Sequence, residues 1–143
     1  MLDHTSGKPS QVSLRRAISS IYYALFHCLA RNSANLLIGG TGSDRSNPAW
    51  QQTYRALEHG AALNACKNGK VVAKFPKSVE DFANAFVTMQ DKRHQADYDP
   101  FAKFTKSEVK ADLATAETVM ANFNAEPKKD KRAFCAYVIF KRR

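Results

Sequence analysis

Apolar residues recur at steps of three and four along four stretches of this chain, the period of helices with one buried face. The first stretch runs from about Ser10 to Leu37, with Leu14, Ile18, Ile21, Leu25 and Leu29 as its stripe and Ser10 as a suitable N-cap. A second line at the same spacing, Arg16, Ser20, Tyr23, His27 and Arg31, mixes cations with hydrogen-bonding rings. It should lie beside the core stripe and edge a groove or a subunit contact. The second stretch spans about 48–67, with Trp50, Tyr54, Leu57 and Ala61 on one face. The third begins near Pro76 or Ser78, where Ser78 and Asp81 resemble a capping box, and carries Val79, Phe82, Phe86 and Met89. Pro100 disfavours helix at Asp99, so this element should end by about Tyr98. The fourth begins at Thr105, boxed with Glu108, and Val109, Leu113, Ala116, Met120 and Phe123 line it until Pro127 and the basic cluster break it.

The connections read differently. The segment Gly39 to Pro48, GGTGSDRSNP, has the composition of a mobile loop and lacks the GxxxxGK[ST] order of a phosphate loop. Val71 to Phe75 reads as a brief extended piece. The late run RAFCAYVIF is read as a fifth helix with a strand as the alternative, because it is too short and too uniformly apolar to separate the two. The predicted fold class is all-α: an antiparallel bundle of four to five helices, one domain over residues 1–143, with a basic C-terminal segment at 126–143.

A hydrophobic share of 44% with nine Phe in 143 residues supports one packed core and argues against a disordered chain. No run approaches the roughly 18 apolar residues of a membrane span. The N-terminus lacks the pattern of a signal peptide, so a cytoplasmic location is expected. Three cysteines, Cys28, Cys66 and Cys135, are odd in number and far apart, which suits buried free thiols rather than a disulfide framework or a metal site. No HxxxH, HExxH or GxSxG pattern occurs, and no metal or cofactor is expected.

The net charge of +9 is uneven. Lys128, Lys129, Lys131, Arg132, Lys141, Arg142 and Arg143 follow Ala125 with only two acids among them, so this short end contributes +5. Such an end attracts polyanions, RNA or DNA first among them, or serves as a solvated tail.

The stretch DKRHQADYDP, Asp91 to Pro100, concentrates the candidate chemistry. Continuing the third stripe from Phe82, Phe86 and Met89 lands on Arg93 and then Asp97. A guanidinium on the apolar side of a helix requires a partner, and Asp97 four residues on supplies one. The pair either fixes the end of the helix or faces a ligand at the mouth of the bundle, with Tyr98 adjacent. His27 suits a satisfied core or interface position, His59 an exposed face, and His4 lies in the N-terminal arm.

Two segments together resemble a known family. SLRRAISSIYYALFHCLA, Ser13 to Ala30, resembles the first helix of HEPN domains, with their R-x-A-x-S-x-x-Y-Y-A-x-F-H pattern, and KRHQADYDP resembles the Arg-x-x-Ala-Asp-Tyr stretch that closes a later helix in some members. The resemblance implies a helical bundle, usually a homodimer with its cleft at the interface, that binds or cleaves RNA or binds a nucleotide. It also implies toxin–antitoxin or phage-defence systems, with an antitoxin or a nucleotidyltransferase as partner. Ribonuclease members use an Arg-x4-6-His motif without metal. Here a four-residue gap after Arg93 lands on Tyr98, and gaps of five and six on Asp99 and Pro100, while Arg55 and His59 are one residue too close. A neutral tyrosine titrates near pH 10, too high for a ready general base at pH 7, though it can donate to a phosphate. His94 lies about 100° around the helix from Arg93 and is a poor substitute. The expected function is therefore RNA or nucleotide binding by a cleft holding Arg93, Asp97, Tyr98, Arg16, Tyr23 and His27. In that reading the basic tail adds phosphate contacts, and Phe134, Tyr137 and Phe140 add stacking surfaces. The alternatives are a metal-independent ribonuclease toxin with an atypical centre, drawing on Arg93, Tyr98 or His94, and a non-catalytic protein-interaction module.

Overall fold

A computed structural model describes residues 9–140, and every regular element among them is helical: α1 (Gln11–Leu37), α2 (Asn47–Ala56), α3 (His59–Lys67), α4 (Gly69–Val72), α5 (Lys77–Tyr98), α6 (Lys106–Ala125) and α7 (Lys128–Ile139). None of these helices is long and apolar enough to cross a membrane. His4, Lys141, Arg142 and Arg143 lie outside the described residues.

The predicted stripe of α1 is buried, and so are Ala17, Tyr22, Phe26, Ala30, Ser33 and Ala34. Burial on this wider arc makes α1 the central helix, packed by α2, α5, α6 and α7. Its N-terminal turns grip the far end of α5. The Gln11 amide brackets the backbone of Phe104, donating to its carbonyl at 2.9 Å and accepting from its N–H at 3.0 Å. Arg15 donates to the carbonyls of Ala96, Asp99 and Ala102 at 2.7, 2.9 and 2.5 Å. One guanidinium thus satisfies a carbonyl in the last turn of α5 and two in the loop beyond it, groups that a helix end otherwise leaves without partners. This grip runs α1 and α5 antiparallel. α6 is antiparallel to α5 in turn: Lys92 pairs with Glu108 and Asp112 at one end, and Phe82 stacks on Phe123 at the other. α7 closes the core with Phe134, edge-on to Phe123 and to Phe75.

Several local expectations match. Ser10 caps α1 by accepting from the N–H of Ser13, and Thr105 caps α6 by accepting from that of Glu108. The box at α6 is half formed, because the Glu108 carboxylate pairs with Lys92. The 133–140 run is helical, but the helix begins at Lys128, so the basic cluster forms its first turns instead of ending the preceding order. Gly39 follows the end of α1 at φ 148°, where a Cβ would lie 2.6 Å from Ser43 Oγ. That position suits glycine on both counts.

Three expectations are corrected. Ser78 is not a cap: α5 starts after Pro76, and Ser78 Oγ donates instead to Glu126 Oε1 at 2.5 Å. Val71 to Phe75 is not extended, because Gly69–Val72 forms one helical turn capped by Asn68. The single helix over 48–67 is two helices. Leu57 and Glu58 are extended, with ψ of 119° and 138°, and Leu57 is buried. The break turns Ala62 and Cys66, rather than Ala61, toward the core.

The grip on α5 predicts a contrast between adjacent arginines. Arg15→Ala removes the charged donor from three carbonyls, which water can partly re-satisfy, and should lower urea unfolding stability by about 2–4 kcal/mol. Arg16 is exposed and makes no hydrogen bond or ion pair among the described residues, so Arg16→Ala should stay within about 0.5 kcal/mol of the parent. Equal losses in the two variants would contradict the packing described.

Candidate functional site

The two segments that carry the HEPN resemblance meet in space. Arg93 of α5 donates through a terminal guanidinium nitrogen to the Tyr23 hydroxyl of α1 at 3.0 Å, and Ser19 Oγ of α1 donates to Asp97 at 3.1 Å. Arg93 Nε lies 3.0 Å from Asp97 Oδ2, yet its N–H is not aligned on the carboxylate. Their attraction is therefore one of charge rather than of a directed hydrogen bond. The two side chains are 19% and 34% exposed, so water screens the pair only in part. The guanidinium also lies over the rings of Tyr22 and Tyr23, 5.5 and 5.4 Å from their centroids. Cation–π attraction thereby supplements the single acid in compensating a half-buried charge.

From Tyr23 a row of rings continues outward. His27 stacks near-parallel on Tyr23, at 6.2 Å and 28°, and on Tyr54 of α2, at 5.9 Å and 21°. A 2.7 Å hydrogen bond joins His27 Nδ1 to the Tyr54 hydroxyl. Trp50 adjoins Tyr54 at 5.3 Å, and Arg45 from the preceding loop covers the Trp50 ring at 4.8 Å. Arg93 stands at one end of this row and Arg45 at the other. The helical spacing of Tyr23 and His27 on α1, and of Trp50 and Tyr54 on α2, brings the four rings together. His27 is exposed at the middle, with Arg16 and Arg31 exposed on the same line of α1.

Behind the row lies a second imidazole. His59, at the start of α3, stacks on Phe26 at 4.0 Å and 17°, and its Nδ1 is 2.5 Å from the Tyr22 hydroxyl. Burial pushes the Tyr22 hydroxyl well above the ordinary tyrosine range, against the pull of Arg93. Tyr22 therefore keeps its proton and donates it, and His59 accepts on Nδ1. Burial also lowers the His59 pKa, and the charges of Arg93 and His27 lower it further, so its imidazole is held neutral. Its expected exposed placement is corrected: the break after Ala56 swings it into the aromatic cluster. The spacing of Trp50, Tyr54 and Leu57 gave no sign of that break.

The remaining candidates separate from this cluster. Tyr98 is 68% exposed and packs against His94, another exposed side chain, with ring centroids 4.9 Å apart. Five helical residues turn the direction by about 140°, which takes Tyr98 away from the face of Arg93. Phe134 is fully buried and offers no stacking surface, and the half-buried Tyr137 donates to the Ala65 carbonyl; Phe140 is exposed. Of the basic segment, Lys128 and Lys129 are exposed, while Lys131 donates to the Asn124 carbonyl and Arg132 to that of Leu36. These carbonyls belong to the last turns of α6 and α1, where cations are favoured. Half of the described basic cluster is thus engaged in closing helix ends. Burial raises the thiols of Cys28, Cys66 and Cys135 to about 11, 12 and 11, which leaves all three protonated at neutral pH and poor nucleophiles. Among the described residues no three His, Cys, Asp or Glu side chains stand where they could share a metal ion.

Arg15, Trp50, Tyr54 and Arg45 belong to this region without a site signal in the sequence. The Trp50–Tyr54 spacing was visible as a helix face, but the pairing of that face with His27 depends on tertiary structure. No protein-family model matches the chain, and no curated protein or solved structure matches it.

The environment of His59 sets a pH dependence. The unfolded chain takes up this proton near pH 6.5, the folded chain only at lower pH, so the unfolded state binds more protons in between. The His59 contribution is fully present above about pH 6.5 and should decline as the pH falls below it. Urea unfolding at pH 7.5 and 5.5 should show a smaller acid loss in His59→Phe than in the parent. Identical losses would contradict a neutral His59.

Proposed function

We propose that this chain is a HEPN-like helical module that binds single-stranded RNA as a homodimer, with the ring row on α1 and α2 as its contact surface. The observation that carries the reading is the exposed His27 at the centre of a near-parallel row bracketed by Arg93 and Arg45. Tyr23 and Tyr54 stack on His27, so bases would pack on the exposed outer edge of the row, a contact tolerant of sequence, while flanking cations attract phosphates. Arg16 and Arg31, exposed on the line of His27, stand where a backbone following the row would pass. The meeting of Tyr23 with Arg93 and of Ser19 with Asp97 adds support, because it joins the two segments from which the resemblance arose. The net charge of +9 favours association with a polyanion.

Binding is proposed rather than cleavage. A metal-independent ribonuclease needs a base within reach of the proton it removes. Tyr98 and His94 pack on each other at the exposed end of α5, His59 has its Nδ1 occupied by Tyr22, and His27 has its Nδ1 bonded to Tyr54 and is separated from Arg93 by Tyr23. The surface around Arg93 and His27 is therefore suited to holding a strand. The Arg93 guanidinium orients Tyr23, and Tyr23 in turn orients the exposed imidazole.

Fluorescence anisotropy with a labelled single-stranded RNA tests this. Affinity should fall steeply with salt. His27→Ala, which removes an exposed ring, should weaken binding at least about fivefold while leaving the circular dichroism unchanged. A flat salt response, or equal affinity of parent and variant, would overturn the reading. Light scattering should give the mass of two chains.

A further inference from the structure

On the far side of His27 from the Tyr54 row, a groove of about 320 Å³ runs between α1 and α6. His27, Cys28, Arg31 and Asn32 line it from α1, and Met120 and Asn124 from α6. Its volume is at the small end of ligand pockets, which begin near about 300 Å³. None of the lining side chains is acidic. Lys131 adds a second cation to Arg31 nearby, fixed on the Asn124 carbonyl at 3.0 Å.

Two amides are locked together in this groove. Asn32 Nδ2 donates to Asn124 Oδ1 at 2.9 Å and to the Cys28 carbonyl at 2.9 Å, which engages both of its protons. The Cys28 thiol, kept protonated by burial, also points to Asn124 Oδ1 at 3.8 Å. The pairing fixes which atoms are left over. Asn32 Oδ1 and Asn124 Nδ2 have no hydrogen-bond partner among the described residues, so the pair presents one acceptor and one donor. Asn32 Oδ1 and Asn124 Nδ2 belong to different amides, so a base edge with a donor beside an acceptor would take one hydrogen bond from each side chain. Met120 supplies an apolar, polarizable wall for a base face. Arg31, exposed at the rim beside His27, supplies a cation for the attached phosphate.

We infer that this α1–α6 groove is a base-reading subsite that takes one nucleotide, with the Asn32–Asn124 pair on the base edge and Arg31 on the phosphate. The inference rests on the RNA-binding reading and deepens it. The ring row holds bases without regard to identity, and the groove, sharing His27 with the row, adds preference at one position of the strand.

The test uses the full chain with the four nucleoside 5′-monophosphates and, as a base-free probe, ribose 5-phosphate, each titrated by NMR of the His27 ring protons. At least one nucleotide should bind about fivefold or more tighter than ribose 5-phosphate, the low end of what base-edge hydrogen bonds supply. Asn124→Leu, at an exposed position near the end of α6, should remove that difference without changing ribose 5-phosphate binding. Arg31→Gln should weaken every phosphate-bearing probe. Asn32→Ala provides a second disruption of the pair if the leucine variant loses structure by circular dichroism. Nucleotides that bind no better than ribose 5-phosphate, or a preference that survives both asparagine variants, would overturn the inference. If RNA still binds through the ring row in that case, only the subsite is lost. If neither RNA nor nucleotides bind, the broader reading falls with it.

Discussion

A half-buried guanidinium fixes the geometry of this molecule's most unusual surface. Arg93 continues the apolar stripe of α5, where a lone charge would be strongly unfavourable. Asp97 balances it from the same helix, and α1 adds the Tyr23 hydroxyl and two ring faces. Those partners meet it only if α5 is held at one depth along α1. Gln11 and Arg15 set that depth by gripping the backbone from Ala96 to Phe104. The order of cause runs from the first turns of α1, through the end of α5, to the orientation of Tyr23 and then His27. The surface row is thus built on rigid helices instead of on loops, which keeps its rings near-parallel.

Much of the architecture was legible in the sequence because helical periodicity reports burial directly. The stripes of α1 and α5, the Ser10 and Thr105 caps and the end of α5 before Pro100 all follow from local chemistry. The break at Leu57–Glu58 did not, because no proline or turn pair marks it. The chain departs from helix there as Leu57 enters the core and His59 stacks on Phe26, both tertiary effects. Ser78 misled for a related reason: its hydroxyl found Glu126, a carboxylate 48 residues away.

The candidate site was legible in part. Arg93 and Asp97 were placed on one face by arithmetic of the helix turn, and the same arithmetic should have moved Tyr98 away. Sequence adjacency obscured that about 140° rotation. Charge counting was also incomplete, since Lys131 and Arg132 serve the carbonyl ends of α6 and α1. Among the described residues, what remains for a polyanion is less a basic tail than a set of separated cations around an aromatic row. Such a surface suits a flexible strand, whose bases can stack while its phosphates reach outlying charges.

The most direct measurement of that account is backbone and aromatic NMR shift mapping on addition of a short single-stranded RNA. The largest changes are expected at Tyr23, His27, Arg31 and Tyr54, on the outward line of α1 and the facing side of α2. Changes confined to Lys128 and Lys129 of α7, with the ring row undisturbed, would contradict it.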